Sequence, residues 1–170
     1  TLGDLNPWAG PYATIKLADL VIEPLDRVVG FSPEQRNGIR GFAKTVKAIQ
    51  LLIVIQGTDV YGALPDAAAN PTDTPAPIAS KEEIYTEIFK LLDEAKTHLL
   101  AGGSSFPFLL GSGFAGFDTP ATFLKFNRAI RARADIQLKD FSEDGFVHEL
   151  QVGARESRLA VVTGKCARRP

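Results

Sequence analysis

The chain has 170 residues, 45% hydrophobic and 23% charged, with one cysteine, two histidines and a formal net charge of −1. That length fits one domain and can bury a real core, while the cysteine count excludes an internal disulfide. No apolar run approaches the roughly 20 residues a bilayer-spanning helix needs, and the scattered His98, His148 and Cys166 argue against a zinc site. Charge is uneven: residues 1–145 hold 14 Lys/Arg against 18 Asp/Glu, and residues 146–170 hold 5 against 2. A basic tail can bind nucleic acid or anionic lipid, but five charges without interleaved aromatics read as solvated coil, so no nucleic-acid partner is expected. The opening "TLGDLNPWAG" has neither a basic n-region nor an apolar h-region, so these residues are not read as a signal peptide.

In chain order, Ile15, Ala18, Ile22, Leu25 and Val29 recur at steps of three and four, which predicts one face of a first helix. Pro24 should kink or break it, because it lacks the N–H and crowds the preceding turn. "SPEQ" at 32–35 is a start signal: Ser32 as cap, Pro33 at the first helical position, Gln35 closing a capping box. The second helix should run from about 33 to 57, with Ile39, Phe42, Ala43, Val46 and Ile53 on one face. Its apolar second half, from Ala48, should be buried all round, and Gly57 should be its C-cap.

"SKEE" at 80–83 opens a third helix by the same logic, with a stripe of Ile84, Ile88, Leu91, Leu92, Ala95 and Leu99 closed by Gly102 and Gly103. The fourth begins at Thr119 as cap and Pro120, with Phe123, Phe126, Ile130 and Ala134 inward and Lys125, Arg128, Arg131 and Arg133 largely outward. The predicted fold class is all-α. Two long loops, 58–79 and 103–118, are the places to look for function.

Catalytic signals are weak. "GSGFAG" at 111–116 matches G-x-G-x-x-G, but no βαβ alternation surrounds it and Pro107 interrupts the preceding apolar run. Neither a dinucleotide nor any other cofactor is expected. Asp93 and Glu94 are adjacent, hence divergent on a helix and read as solvated. His98 lies near a helix C-terminus, where an imidazolium would favour the dipole, so it is read as capping rather than catalytic. No nucleophile elbow, HExxH or P-loop occurs, so no catalytic residue is assigned and the chain is read as a non-enzyme. The glycine-rich loop carries Phe106, Phe108, Phe114 and Phe117, whose rings could face a sugar or a partner protein, or could pin the loop to the core.

Several stretches then carry a family resemblance. "GFAKTVKAIQLLIVIQGTDVYGALP" resembles the SusD/RagB family, with Gly41, Ala43, Lys44 and Ala48 leading to Tyr61, Gly62 and Pro65. "SKEEIYTEIFKLLDEAKTHL" is similar to the family's next segment through Tyr85, Ile88, Asp93 and Ala95. "TPATFLKFNRAIRARADIQ" and "NPWAGPYATIKLAD" are similar to its following and opening helices, so the resemblance runs in order over about residues 6–139. Lys47 departs from the arginine often found there, and nothing after residue 140 resembles the family.

The resemblance implies TPR-like antiparallel helix pairs over 1–139, a partial domain, followed by an unassigned tail at 140–170. It implies a lipoprotein on the outer face of the outer membrane, its lipid-bearing cysteine preceding Thr1. Such a protein binds glycans, oligosaccharides or other nutrients without catalysis and partners a SusC-like TonB-dependent transporter. The family supplies no universal ligand residue; the candidates here are Tyr61 and the four loop phenylalanines. In the turn "QGTDVYGALPD", Gly57 is expected to end the helix, Tyr61 to pack its ring back, and Gly62 to take positive φ. The alternative is a free-standing helical module that binds proteins, and a TPR-like part cut from its neighbours is expected to be marginally stable or to self-associate.

Overall fold

The computed structural model describes residues 8–66 and 77–140. The fold is all-α. Among the described residues four α-helices carry it: α1 (Ala9–Ile22), α2 (Pro33–Thr58), α3 (Lys81–Leu100) and α4 (Pro120–Asp140). A compact unit extends to Ala134; Asp135 begins a second unit, of which only the last turns of α4 are described.

The starts of the helices follow from short-range chemistry. At Ser32 and Ser80 the hydroxyl accepts the N–H of Gln35 and Glu83, whose side chains accept the serine N–H in return, so both capping boxes close. Thr119 starts α4 by a related exchange, its hydroxyl accepting the Thr122 N–H at 3.2 Å while Thr122 Oγ1 accepts the Thr119 N–H at 3.0 Å. Pro24 breaks the first helix rather than kinking it: α1 ends at Ile22 and a run of turns carries Leu25 back into the core. Val29 is 93% exposed, so the predicted stripe stops at Leu25. The helical register that would have aimed Val29 inward ends at the proline.

Polar contacts give the helix directions. Asp26, Asp19 and Tyr12 on and after α1 meet Arg40, Lys47 and Leu64, so α1 and α2 are antiparallel. Asn37, Lys44 and Asp59 meet His98, Glu94 and Lys81, so α2 and α3 are antiparallel as well. Arg128 reaches Asp93 and Arg131 sits over the Phe89 ring, which sets α4 against α3 in the same sense. Arg128 and Arg131 are therefore folded onto α3 rather than turned to solvent, and Asp93 and Glu94 are both paired rather than simply solvated.

Helix α2 lies at the centre. Its approach to α3 is close because Gly41 has no side chain: a Cβ there would sit 2.6 Å from Leu99 Cγ and 3.1 Å from the Ala95 carbonyl oxygen. On α3 the predicted stripe, with Tyr85, is buried, each large side chain contributing about 1.5–3 kcal/mol on full burial. Across the bundle, Asn127 Nδ2 donates to Thr45 Oγ1 at 2.9 Å; both residues are fully buried, and the Thr45 hydroxyl donates in turn to the Gly41 carbonyl at 2.8 Å. In the second half of α2, Ala48, Leu51, Leu52, Val54 and Ile55 are buried, Ile49, Gln50 and Thr58 half-buried, and Ile53, Gln56 and Gly57 exposed, so burial all round does not hold and Ile53 leaves the predicted inner face.

The end of α2 differs from expectation. Gly57 stays inside the helix; reversal occurs at Asp59, which takes φ +46° while its N–H closes on the Ile55 carbonyl and its carboxylate binds Lys81. Gly62 does adopt positive φ, +70°, and a Cβ there would lie 2.0 Å from the Ala79 carbonyl oxygen. Ala63 and Ala79 then exchange two backbone hydrogen bonds. Gly62→Ala should therefore displace this bridge and cost about 1–3 kcal/mol of strain, read as a lower midpoint in urea unfolding.

Candidate functional site: an apolar groove beside the phenylalanine loop

Helix α1 has two apolar faces. Ile15 and Ala18 pack inward, while Leu17, Leu20 and Val21, at spacing i, i+3, i+4, remain exposed. Together with Pro24, Leu25, Val28 and Phe31 from the turns after α1, and Ile39, Phe42 and Val46 of α2, they wall a groove of about 540 Å³. Phe108 closes one side. Within a few residues of these walls, Val29 and Leu109 (99% exposed) add further apolar surface. Among the described residues of the lining the only polar side chain is Thr14, and its hydroxyl donates to the Gly10 carbonyl at 3.0 Å. Such a surface can hold apolar groups by burial, and has little with which to orient a polyhydroxylated ligand.

The five candidate ligand residues do not form one site. Phe106 is 8% exposed and Phe108, Phe114 and Phe117 are half-buried. Phe106 and Phe108 stack at 5.1 Å, and Phe106, Phe108 and Phe114 all meet Phe42 at 5.2–6.1 Å between centroids. Phe117 joins through Phe126 at 5.6 Å. Their faces are engaged with one another and with Phe123, which pins the 103–118 loop to the core; Phe108 is the member that also reaches the groove. The "GSGFAG" segment forms a 3-10 turn at Ser112–Phe114, with no strand before it among the described residues.

Tyr61 lies near the start of α3, whereas the phenylalanines gather near its end. Its ring is 84% exposed instead of packing back. The tyrosine that secures this turn is Tyr12: its hydroxyl donates to the Leu64 carbonyl at 3.1 Å and accepts the Leu64 N–H at 2.9 Å. Trp8 stacks on Tyr12 at 5.9 Å.

A second polar cluster adjoins that tether. Lys47, only 8% exposed, donates to both Asp19 oxygens at 2.8 and 2.9 Å and to Asp66 at 3.0 Å. Burial works against the ammonium charge, but hydrogen bonds and attraction from both aspartates outweigh it and lift the Lys47 pKa above its ordinary value. Sequence reading noted Lys47 only as a departure from a resemblance; its charge on an otherwise apolar helix face was the signal that it needed partners.

His98 lies in the last turn of α3. Burial first, then the charges of Lys44 and Arg40, hold its pKa below the ordinary histidine value, and in the Nδ1–H tautomer it donates to Asn37 Oδ1 at 3.0 Å. A depressed folded pKa means that the unfolded chain binds the proton more readily. The His98 contribution should thus be present above about pH 6.5 and be lost as pH falls below it toward the folded pKa. Urea unfolding at pH 7.5 and pH 5.5 should show this loss, and His98→Gln, which keeps a donor toward Asn37, should shrink the difference.

The described residues hold no group of three or more His, Cys, Asp or Glu placed to bind a metal, and none of their helices is long and apolar enough to cross a membrane. Comparison with protein-family models, curated proteins and solved structures finds no match to this chain.

Proposed function

We propose that this chain is the N-terminal helical part of a SusD-like nutrient-binding lipoprotein, acting without catalysis beside a SusC-like TonB-dependent transporter at the outer-membrane surface. The motif order over about residues 6–139 supports the reading, and so does the succession of antiparallel helices in which those motifs fall. The observation that carries it is the groove: a TPR-like array buries its faces against further layers, and α1 and α2 present an apolar wall of that kind. In this reading the groove is a packing surface, and glycan or oligosaccharide contacts fall elsewhere, with the exposed Tyr61 ring as the best-presented aromatic candidate. The groove's apolar lining also favours a second reading, a free-standing TPR-like module that grips an apolar protein segment.

Light scattering after size exclusion, with calorimetric titration of oligosaccharides, separates the two. A SusD-like part should self-associate through the groove, become monomeric on Leu20→Glu, and bind oligosaccharide without turnover in a way that Tyr61→Ala weakens. A stable monomer indifferent to every sugar tested would instead favour the protein-binding module.

A further inference from the structure

Helix α1 carries two charged side chains, Lys16 and Asp19, and Glu23 follows as its C-cap with φ −59° and ψ −48°, still helical backbone. Asp19 is bound to Lys47, and Asp26, in the turns beyond, is bound to Arg40. Lys16 and Glu23 make no ion pair or side-chain hydrogen bond among the described residues. Seven positions separate them, so they lie on one helix face, two turns and about 10 Å apart along the axis. The exposed ridge of Leu17, Leu20 and Val21 falls between them in the chain.

Along this face the order is cation, apolar ridge, anion. A second copy laid across it in the same direction sets Lys16 against Lys16 and Glu23 against Glu23. Turned about a two-fold axis beside Leu20, the second copy instead sets each Lys16 against the Glu23 of the other. A face that meets itself in this way is isologous. The charges decide the direction, because like charges juxtaposed across an interface are costly. They supply little of the attraction, since exposed pairs contribute weakly. That comes from burying each ridge against the apolar groove of the other copy.

We propose that α1 is a self-recognition surface. Two copies pair antiparallel through Leu17, Leu20 and Val21, with Lys16 and Glu23 joined in both directions across the axis. The pairing rests on the reading of the groove as a packing face, and adds to it the occupant, its direction and its register. A contact built on one short helix belongs with small, reversible interfaces rather than obligate ones.

Sedimentation equilibrium of the full chain over a concentration series tests this. The unsubstituted chain should dimerise. Lys16→Glu and Glu23→Lys each turn two attractive pairs into repulsive ones and should weaken the dimer about tenfold. The double variant restores both pairs with the signs exchanged and should recover most of that loss. An equal mixture of the two single variants should form the heterodimer in preference to either homodimer, which asks the same question without the double variant. Single variants that dimerise as tightly as the unsubstituted chain would overturn the antiparallel pairing while leaving the groove a packing face. So would a mixture with no preference for the heterodimer. A chain that stays monomeric at every concentration would overturn the pairing without any variant having to fold, and oligosaccharide binding by that monomer then decides the SusD-like reading separately.

Discussion

Replacing Phe123 by alanine is expected to lower the unfolding free energy by about 3–5 kcal/mol, the range for deleting a buried aromatic ring. Phe123 is fully buried, and its ring meets those of Phe42, Phe126, Phe106 and Phe114 at 5.1, 5.3, 5.8 and 5.8 Å. It joins α4 to α2 and to the 103–118 loop, so its loss removes the common neighbour of three segments. The surrounding rings are planar and stiff, and cannot collapse readily into the space left behind. Since a domain is stable by only about 5–15 kcal/mol, the variant should sit close to unfolding. Urea titration followed by far-ultraviolet circular dichroism reads the effect. Phe117→Ala is the comparison: its ring is half-buried and meets Phe126 at 5.6 Å, so it should cost well under half as much. Equal losses at the two positions would mean that the Phe117 ring contributes as much as Phe123 despite its half-burial.

This contrast shows which parts of the fold were open to sequence reasoning. The starts of α2 and α3 were legible because each capping box lies within four residues and needs no partner elsewhere. The stripe on α3 was legible because a single buried face repeats at helical spacing. Where two residues compete for one role, the sequence had no means of choosing. Tyr61 lies three residues from Leu64, yet it is Tyr12, 52 positions away in the chain, that bonds it. Arg128 and Arg131 read as solvent-facing because their partners Asp93 and Phe89 belong to another helix. Thr45 and Asn127, separated by 82 positions, gave no local sign of their hydrogen bond. The groove did leave a sign: Leu17, Leu20 and Val21 repeat at helical spacing beside the Ile15 and Ala18 face, more apolar surface than one packed face requires. Of the candidate ligand residues, the four phenylalanines share one loop in the sequence, and their packing against Phe42 and Phe123 depends on α2 and α4 closing over that loop.

Lys47→Ala should also be among the most damaging single changes, at about 3–5 kcal/mol, and for a different reason. The substitution removes the cation and leaves Asp19 and Asp66 facing one another across the space the ammonium occupied. Asp19 is partly buried, with 24% of its side chain accessible, so water screens the pair incompletely. Losing the aliphatic stem adds a cavity at a position that is 8% exposed. Lys47→Met separates these contributions: the stem volume is kept and only the charge is lost, so Met should recover the packing part of the loss. The double variant Lys47→Met with Asp19→Asn should recover more, because it also removes the carboxylate that has least access to solvent. A double-mutant cycle in urea, run at pH 7, would then give a coupling between positions 47 and 19 above the 1 kcal/mol or less of an exposed pair. A coupling within that surface range would place the stability of the α1–α2 pair in the apolar contacts of Ile15 and Ala18, with the aspartates only screening the lysine.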